Sequence, residues 1–262
     1  MHRAGALAAA VLAAVAATSA GALAVGPWTA AGAAGAGPAA KSASQILASV
    51  QKAEARTSGV HLTGRITQPS TSVSFALDLT GKGDGKGTFH QSGQAVAVEK
   101  VGAEIYVRAT TAFWRSNGAG AEASRMGDHW IKSPAGNADF TSLAQFLGLT
   151  RLTTQLFPAG SSPVRTSKKA EVDGHKAVLV VGRATAGGRS ETTTLYVAAT
   201  GRPYVLEAVA VSGNEKGVLT FSHYGEKVRV RAPAHPLDIT SLGQPSSSSP
   251  STSTPASKRG MK

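Results

Sequence analysis

The residues in this chain with most capacity for chemistry are a glycine–lysine run, seven histidines and fifteen carboxylates. The run Gly81-Lys82-Gly83-Asp84-Gly85-Lys86-Gly87-Thr88 has the composition of a phosphate cradle but not its spacing. A phosphate-binding loop needs four residues between its first glycine and a Gly-Lys pair followed directly by Ser or Thr, and it leads from a strand into a helix. Strand-like alternation flanks this run on both sides, so it reads as a hairpin connection. The histidines, His61, His90, His129, His175, His223 and His235 among them, never fall three or four residues apart, the spacing that sets two ligands on one helix face. No Gly-x-Ser-x-Gly elbow presents a nucleophilic serine. The acidic residues stand apart along the sequence, and cysteine is absent, which removes disulfides, thiolate metal sites and thiol catalysis together. The reading is of a binding protein without catalytic residues, metal or cofactor.

The two ends bear on where such a protein works. Residues 4–25 are an Ala/Leu/Val stretch without a charged side chain, preceded by His2 and Arg3, which is the outline of a secretory signal. Small residues at cleavage spacing precede two points, after Ala24 and after Ala36. The same stretch is just long enough to span a bilayer as an uncleaved anchor, with Trp28 at the interface. Either way the body of the chain is expected outside the cytoplasm, secreted or held at the cell envelope. Residues 1–40 are therefore assigned to a signal or anchor plus linker, 41–242 to one folded domain, and the Ser/Thr/Pro-rich residues 243–262 to a disordered tail. The net charge of +12 draws such a protein towards polyanions. Export and the lack of an aromatic-plus-basic reader motif argue against nucleic acid. An anionic membrane surface or a cell-wall polymer fits better, although the scattered lysines and arginines also suit an ordinary solvated surface.

The elements that would position a binding site follow from periodicity. Residues 41–56 form an amphipathic helix, opened by a Ser42–Gln45 capping box, with Ile46, Leu47, Val50 and Ala53 on one face. From Val60 the period becomes two, with strands over residues 60–66, 73–79, 87–91, 94–101 and 103–109. The alternation fails over 110–127, which reads as a long loop. Trp130 and Ile131 restart a short strand. A second, broadly apolar helix starts near Asp139 as N-cap and runs to Phe157. Strands resume over 166–172, 176–183, 191–198, 202–211, 217–223 and 227–231, with Asp173-Gly174 as a tight hairpin turn. The expectation is an α+β protein: a curved antiparallel sheet of about ten to eleven strands with helices laid against its apolar face.

This order resembles the LolA-like lipoprotein-carrier fold and is closest in layout to the mycobacterial LppX/LprG-like lipid-binding proteins. The resemblance spans about residues 41–231. It is carried by Ser44-Gln45-Ile46-Leu47, by residues 102–107 followed by Asp128-His129-Trp130-Ile131-Lys132, by Val172-Asp173-Gly174-His175, and by Leu195-Tyr196-Val197 through Gly201-Arg202-Pro203. It implies an unclosed β-barrel with helices covering the opening and an apolar cavity between them for a lipid or acylated ligand, the protein acting as a monomer. The chain departs from many such relatives in lacking a cysteine for lipid attachment.

The residues expected to face that cavity are Phe75, Leu77, Phe89, Val96, Val98, Ile105, Val107, Leu143, Phe146, Leu147, Leu179, Leu195 and Val197. Burying a methylene is worth about 0.8 kcal/mol, so ten of them supply on the order of 8 kcal/mol before ordering costs. Acyl binding therefore needs no polar motif. The same residues would equally make a closed core, and a second reading is a regulatory or protein-interaction module, similar to periplasmic anti-sigma-pathway regulators built like lipid carriers.

Overall fold

The computed structural model describes residues 41–157, 163–186 and 189–242; the expected signal or anchor with its linker and the expected disordered tail lie outside the described residues. Helix α1 (Ala43–Glu54) opens with both halves of the capping box in place, since Gln45 N–H donates to the Ser42 hydroxyl and Ser42 N–H to Gln45 Oε1 at 2.9 Å. It buries Ile46 and Val50. A meander follows: β1 (Val60–Thr67), β2 (Ser72–Leu79), β3 (Gly85–Gln91), β4 (Gln94–Val101), β5 (Glu104–Ala109) and the short β6 (Ile131–Pro134). After the helical insertion come β7 (Val164–Val172), β8 (His175–Ala186), β9 (Arg189–Ala198), β10 (Val205–Ser212) and β11 (Glu215–Ser222).

The described strands make one twelve-stranded sheet in the order β12-β6-β5-β4-β3-β2-β1-β11-β10-β9-β8-β7, where β12 is the two-residue Leu237–Asp238. Its two end strands, β12 and β7, do not pair with each other, so the sheet is open. Both meanders are antiparallel, and they meet where β1 pairs with β11, residues 61–67 lying against 216–222. Asp173 and Gly174 take φ values of 48° and 78°, the left-handed pair that a two-residue hairpin between β7 and β8 requires.

Register places apolar residues from successive strands side by side. One inner row runs Val180, Leu195, Ala208, Leu219, Gly64, Phe75, Phe89, Val96 and Ala109, crossing from β8 to β5. The next row carries Phe221, Leu62, Leu77, Gly87, Val98, Val107 and Ile131. The opposite face holds polar partners such as His61, Asp78, Lys86 and Glu99. Over β1 to β5 the period-two pattern matches the sheet's two faces.

Four sequence expectations need correction. Residues 110–127 are not a loop but contain α2 (Thr111–Ser116), a 3₁₀ turn (Gly120–Glu122) and α3 (Ala123–Met126), with Phe113, Trp114 and Met126 buried. Thr110 caps α2 by accepting from Phe113 N–H at 3.2 Å. The second helix is two, α4 (Thr141–Phe146) and α5 (Leu149–Gln155), broken at Gly148, and the cap position belongs to Phe140, not Asp139. Residues 227–231 do not join the sheet; Val228 lies instead over Gly59, where an added Cβ would come within 2.5 Å of it. Twelve described strands replace ten or eleven, and the last, β12, runs parallel to β6, so the sheet is not wholly antiparallel. The short helix α6 (Ile239–Leu242) follows and buries Leu242.

Gly64 explains how a phenylalanine fits the central row. A Cβ there would stand 2.2 Å from the Phe75 ring, whereas one at Gly217 would meet nothing nearer than 3.9 Å. Gly64→Ala should lower unfolding free energy by about 1–3 kcal/mol through overpacking. Gly217→Ala should be neutral or stabilising by up to ~1 kcal/mol. Urea denaturation of the two variants beside the wild type checks the contrast; equal effects would contradict the packing described.

Candidate functional site

The concave face of the sheet is roofed by α4 and α5, with α1 beside α5. Leu143, Phe146, Leu147, Leu149 and Leu152 from the roof are buried in the same apolar cluster as the sheet's inner rows. Phe146 closes the centre: its ring centroid lies 4.9 Å from that of Phe75, edge-on at 90°, and 5.8 Å from that of Phe89, while Phe75 and Phe89 are 5.4 Å apart. These are attractive edge-to-face and tilted geometries.

Each residue expected to face a cavity is buried, at 8 % exposure or less. Twelve of them belong to one cluster: Phe75, Leu77, Phe89, Val96, Val98, Ile105, Val107, Leu143, Phe146, Leu147, Leu195 and Val197. Leu179 does not. It pairs with Tyr196, while its neighbours Val178 and Val180 pair with Val197 and Leu195, so Leu179 lies on the other face of β8. A continuous apolar run in β8 hides its phase, and that is why sequence alone misplaced it. The expected cavity wall is, in this conformation, a filled core.

A carboxyl group that sequence reading passed over sits in the seam between α1 and the roof. Glu54 falls at four-residue spacing after Ile46 and Val50 and is fully buried; that spacing was the available signal. The Thr153 hydroxyl of α5 donates to Glu54 Oε2 at 2.6 Å, and Glu54 Oε1 has no hydrogen-bond partner. Gln51 Nε2 donates to Thr154 Oγ1 at 3.5 Å in the same seam. Burial pushes the Glu54 pKa from its ordinary 4.5 to about 8, against a smaller opposing effect of the Thr153 hydrogen bond. The acid is therefore neutral in the folded protein at pH 7. Nearby Tyr224, whose hydroxyl donates to Val205 O at 2.9 Å, is also held well above its usual range, chiefly by burial.

Between the roof and the β2–β3 turn lies a groove of about 460 Å³, lined by Lys82, Lys100, Arg151 and Gln145 among others, with no acidic residue in its wall. On the polar face, register brings together side chains far apart in sequence: His61 Nδ1 is 2.8 Å from Asp78 Oδ1, Ser222 Oγ is 3.0 Å from His223 Nδ1, and the two imidazole centroids are 6.0 Å apart. The carboxylate and the hydroxyl orient different imidazoles, so these contacts form two separate pairs rather than one relay. Among the described residues no group of three or more His, Asp or Glu stands close enough to hold a metal ion, and no helix is long and apolar enough to cross a membrane.

No protein-family model matches the chain, and no curated protein matches it. Solved structures do. The lipoprotein LppX of Mycobacterium tuberculosis is 20 % identical over 72 % of this chain and 99 % of its own, with a TM-score of 0.47. LprF of Mycobacterium bovis is 18 % identical over 73 % and 96 %, with a TM-score of 0.47. MucB, crystallised with MucA, is 13 % identical over 76 % and 61 %, with a TM-score of 0.37.

The Glu54 environment gives a pH dependence of definite sign. A carboxyl whose folded pKa lies above its unfolded value contributes stability that is full below the unfolded value and is lost as pH rises towards the folded one. Stability should therefore fall between about pH 4.5 and 8. Glu54→Gln should flatten that slope and raise stability at pH 7.5 by on the order of 2–4 kcal/mol. Thermal unfolding of both proteins from pH 5 to 8 tests it; parallel pH profiles would show the carboxyl to be ionised in the fold.

Proposed function

We propose that this protein is an extracytoplasmic carrier or binding protein for lipid or acyl-chain ligands, taken up between the roof helices and the concave face of the sheet. The observation that carries this reading is the nature of the roof. Helices α4 and α5 have six and seven residues, and neither has a side-chain cap at its N-terminus. Helices this short do not persist on their own, so the roof depends on Leu143, Phe146, Leu147, Leu149 and Leu152 lying against the sheet. Such contacts are non-directional and roughly proportional to area. An acyl chain offers the sheet the same kind of surface, so roof side chains can give way to methylenes with little net loss. The filled core is then the unloaded form.

The same filled interior favours a second reading, a regulatory or protein-interaction module on this fold that carries no lipid. An extracytoplasmic location and a non-catalytic role would suit both readings. Both leave residues 41–242 as the working domain.

Native mass spectrometry of the secreted protein, followed by solvent extraction, separates them. Bound acyl lipid near one per chain is the expected outcome. Phe146→Ala should destabilise the unloaded protein by about 3–5 kcal/mol, the usual cost of emptying a packed aromatic site, and should raise lipid occupancy because the chain no longer has to displace the ring. A protein that purifies empty, and refuses added lipid both as wild type and as Phe146→Ala, would shift the assignment to the interaction module.

A further inference from the structure

We infer that the groove beside the roof is a head-group site for anionic phospholipids, an inference that rests on the carrier reading and adds the ligand's charge to it. The groove has the volume of a small-molecule pocket and lies between the β2–β3 turn and helices α4 and α5. Three cations from three different elements converge on it: Lys82 from the turn, Lys100 from β4 and Arg151 from α5.

The turn is fixed in place. Gly81 approaches the C-terminal end of α1 so closely that an added Cβ would stand 2.6 Å from Thr57 O and 2.7 Å from Glu54 O. Lys100 Nζ donates to Gly83 O at 2.7 Å and to Gly102 O at 3.0 Å, tying the β2–β3 and β4–β5 turns together. An ammonium has three donors, so one remains for a ligand. Asp84 Oδ1 accepts from Gly102 N–H at 2.8 Å, so the turn's own carboxylate is engaged with backbone and does not line the groove. Lys82 and Arg151 are exposed and have no ion-pair partner among the described residues. A guanidinium matches the paired oxygens of a phosphate, and lysine adds point charge.

Position distinguishes this groove from a merely basic surface. Ala144 lines it and also belongs to the apolar cluster, and Ala135, which lines it too, packs against that cluster. The groove and the lipid-accepting interior therefore share a wall. A phosphate held by Lys82, Lys100 and Arg151 leaves its acyl chains at the edge of the roof, beside the surface they would enter.

The test uses the full mature chain and two soluble lipids with the same short acyl chains, dihexanoyl phosphatidylglycerol and dihexanoyl phosphatidylcholine, titrated by calorimetry below their micellar concentrations. Wild type should prefer the phosphatidylglycerol by roughly tenfold. Lys82→Ala/Arg151→Ala should bring the two to parity while keeping phosphatidylcholine affinity. Arg229→Ala/Arg231→Ala, the same change in net charge outside the groove, should keep the preference. Lys100 is left in place because it holds both turns. Equal affinity of wild type for the two lipids overturns this inference and leaves the carrier reading standing. Loss of preference in both double variants overturns it in favour of net charge alone. Glycerol phosphate binding as tightly as phosphatidylglycerol overturns the lipid assignment in favour of a free-phosphate site, and a protein that binds neither lipid overturns both readings.

Discussion

The pairing of β1 with β11 is the constraint on which the rest of the molecule depends. Within β1 to β5 and within β7 to β11, strands pair with sequence neighbours through short connections, and loop closure is inexpensive. The β1–β11 ladder joins residues 61–67 to 216–222 across most of the described chain. Without it there would be one sheet of seven strands and another of five, each too narrow to bury the roof helices. With it, a single inner row extends unbroken from β8 to β5. Gly64 sits at the middle of that row, between Leu219 and Phe75, and its missing side chain is where the Phe75 ring goes. The aromatic centre of the core therefore lies directly on the join between the two meanders.

A one-layer sheet of this size must find a partner for its concave face, because among the described residues there is no second sheet to supply one. The chain solves this with an insertion rather than an extension. Described residues between β5 and β7 form four short α-helices, a 3₁₀ turn and the short strand β6, and deliver Trp114, Met126, Phe140 and Leu149 into the core. None of the pieces in this insertion exceeds seven residues. Their helicity is a consequence of burial and not its cause, so anything that competes for the sheet's surface competes with the roof's own structure.

How much of this was legible in the sequence follows from the same physics. Strands wetted on one face announce themselves by alternation, so β1 to β5 and β9 to β11 were readable to within a few residues, and the capping box of α1 fixed its start. Strand β8 is buried on both faces over Ala177, Val178, Leu179 and Val180. Alternation vanishes there and Leu179 was assigned to the wrong face. The helices at 111–116 and 123–126 were missed because each is barely a turn or two, too short to show a 3.6-residue period. Gly148 was a visible break within an apolar stretch, yet the continuity of leucines on either side masked it. The cavity could not have been read at all: Phe146 lines a hole or fills one according to distances of 5 or 6 Å that no residue pattern encodes.

The contacts that hold the roof divide by direction. Towards the sheet they are apolar and replaceable, while towards α1 they include the hydrogen bonds of Thr153 and Thr154 to Glu54 and Gln51. Directional contacts lose their energy when geometry changes by a fraction of an ångström, whereas apolar contacts can slide. On the carrier reading, a roof attached in this way would yield first along its sheet side and last along α1, which would act as the hinge line. Glu54 makes that line conditional. As a neutral acid it completes an apolar seam at the cost of one unpartnered oxygen; as a carboxylate it would demand water and loosen α5 from α1. The cationic groove borders the same helices, so on the carrier reading the charge that greets the ligand and the seam that governs opening lie at opposite sides of one short helix, α5, with Arg151 on the first and Thr153 on the second.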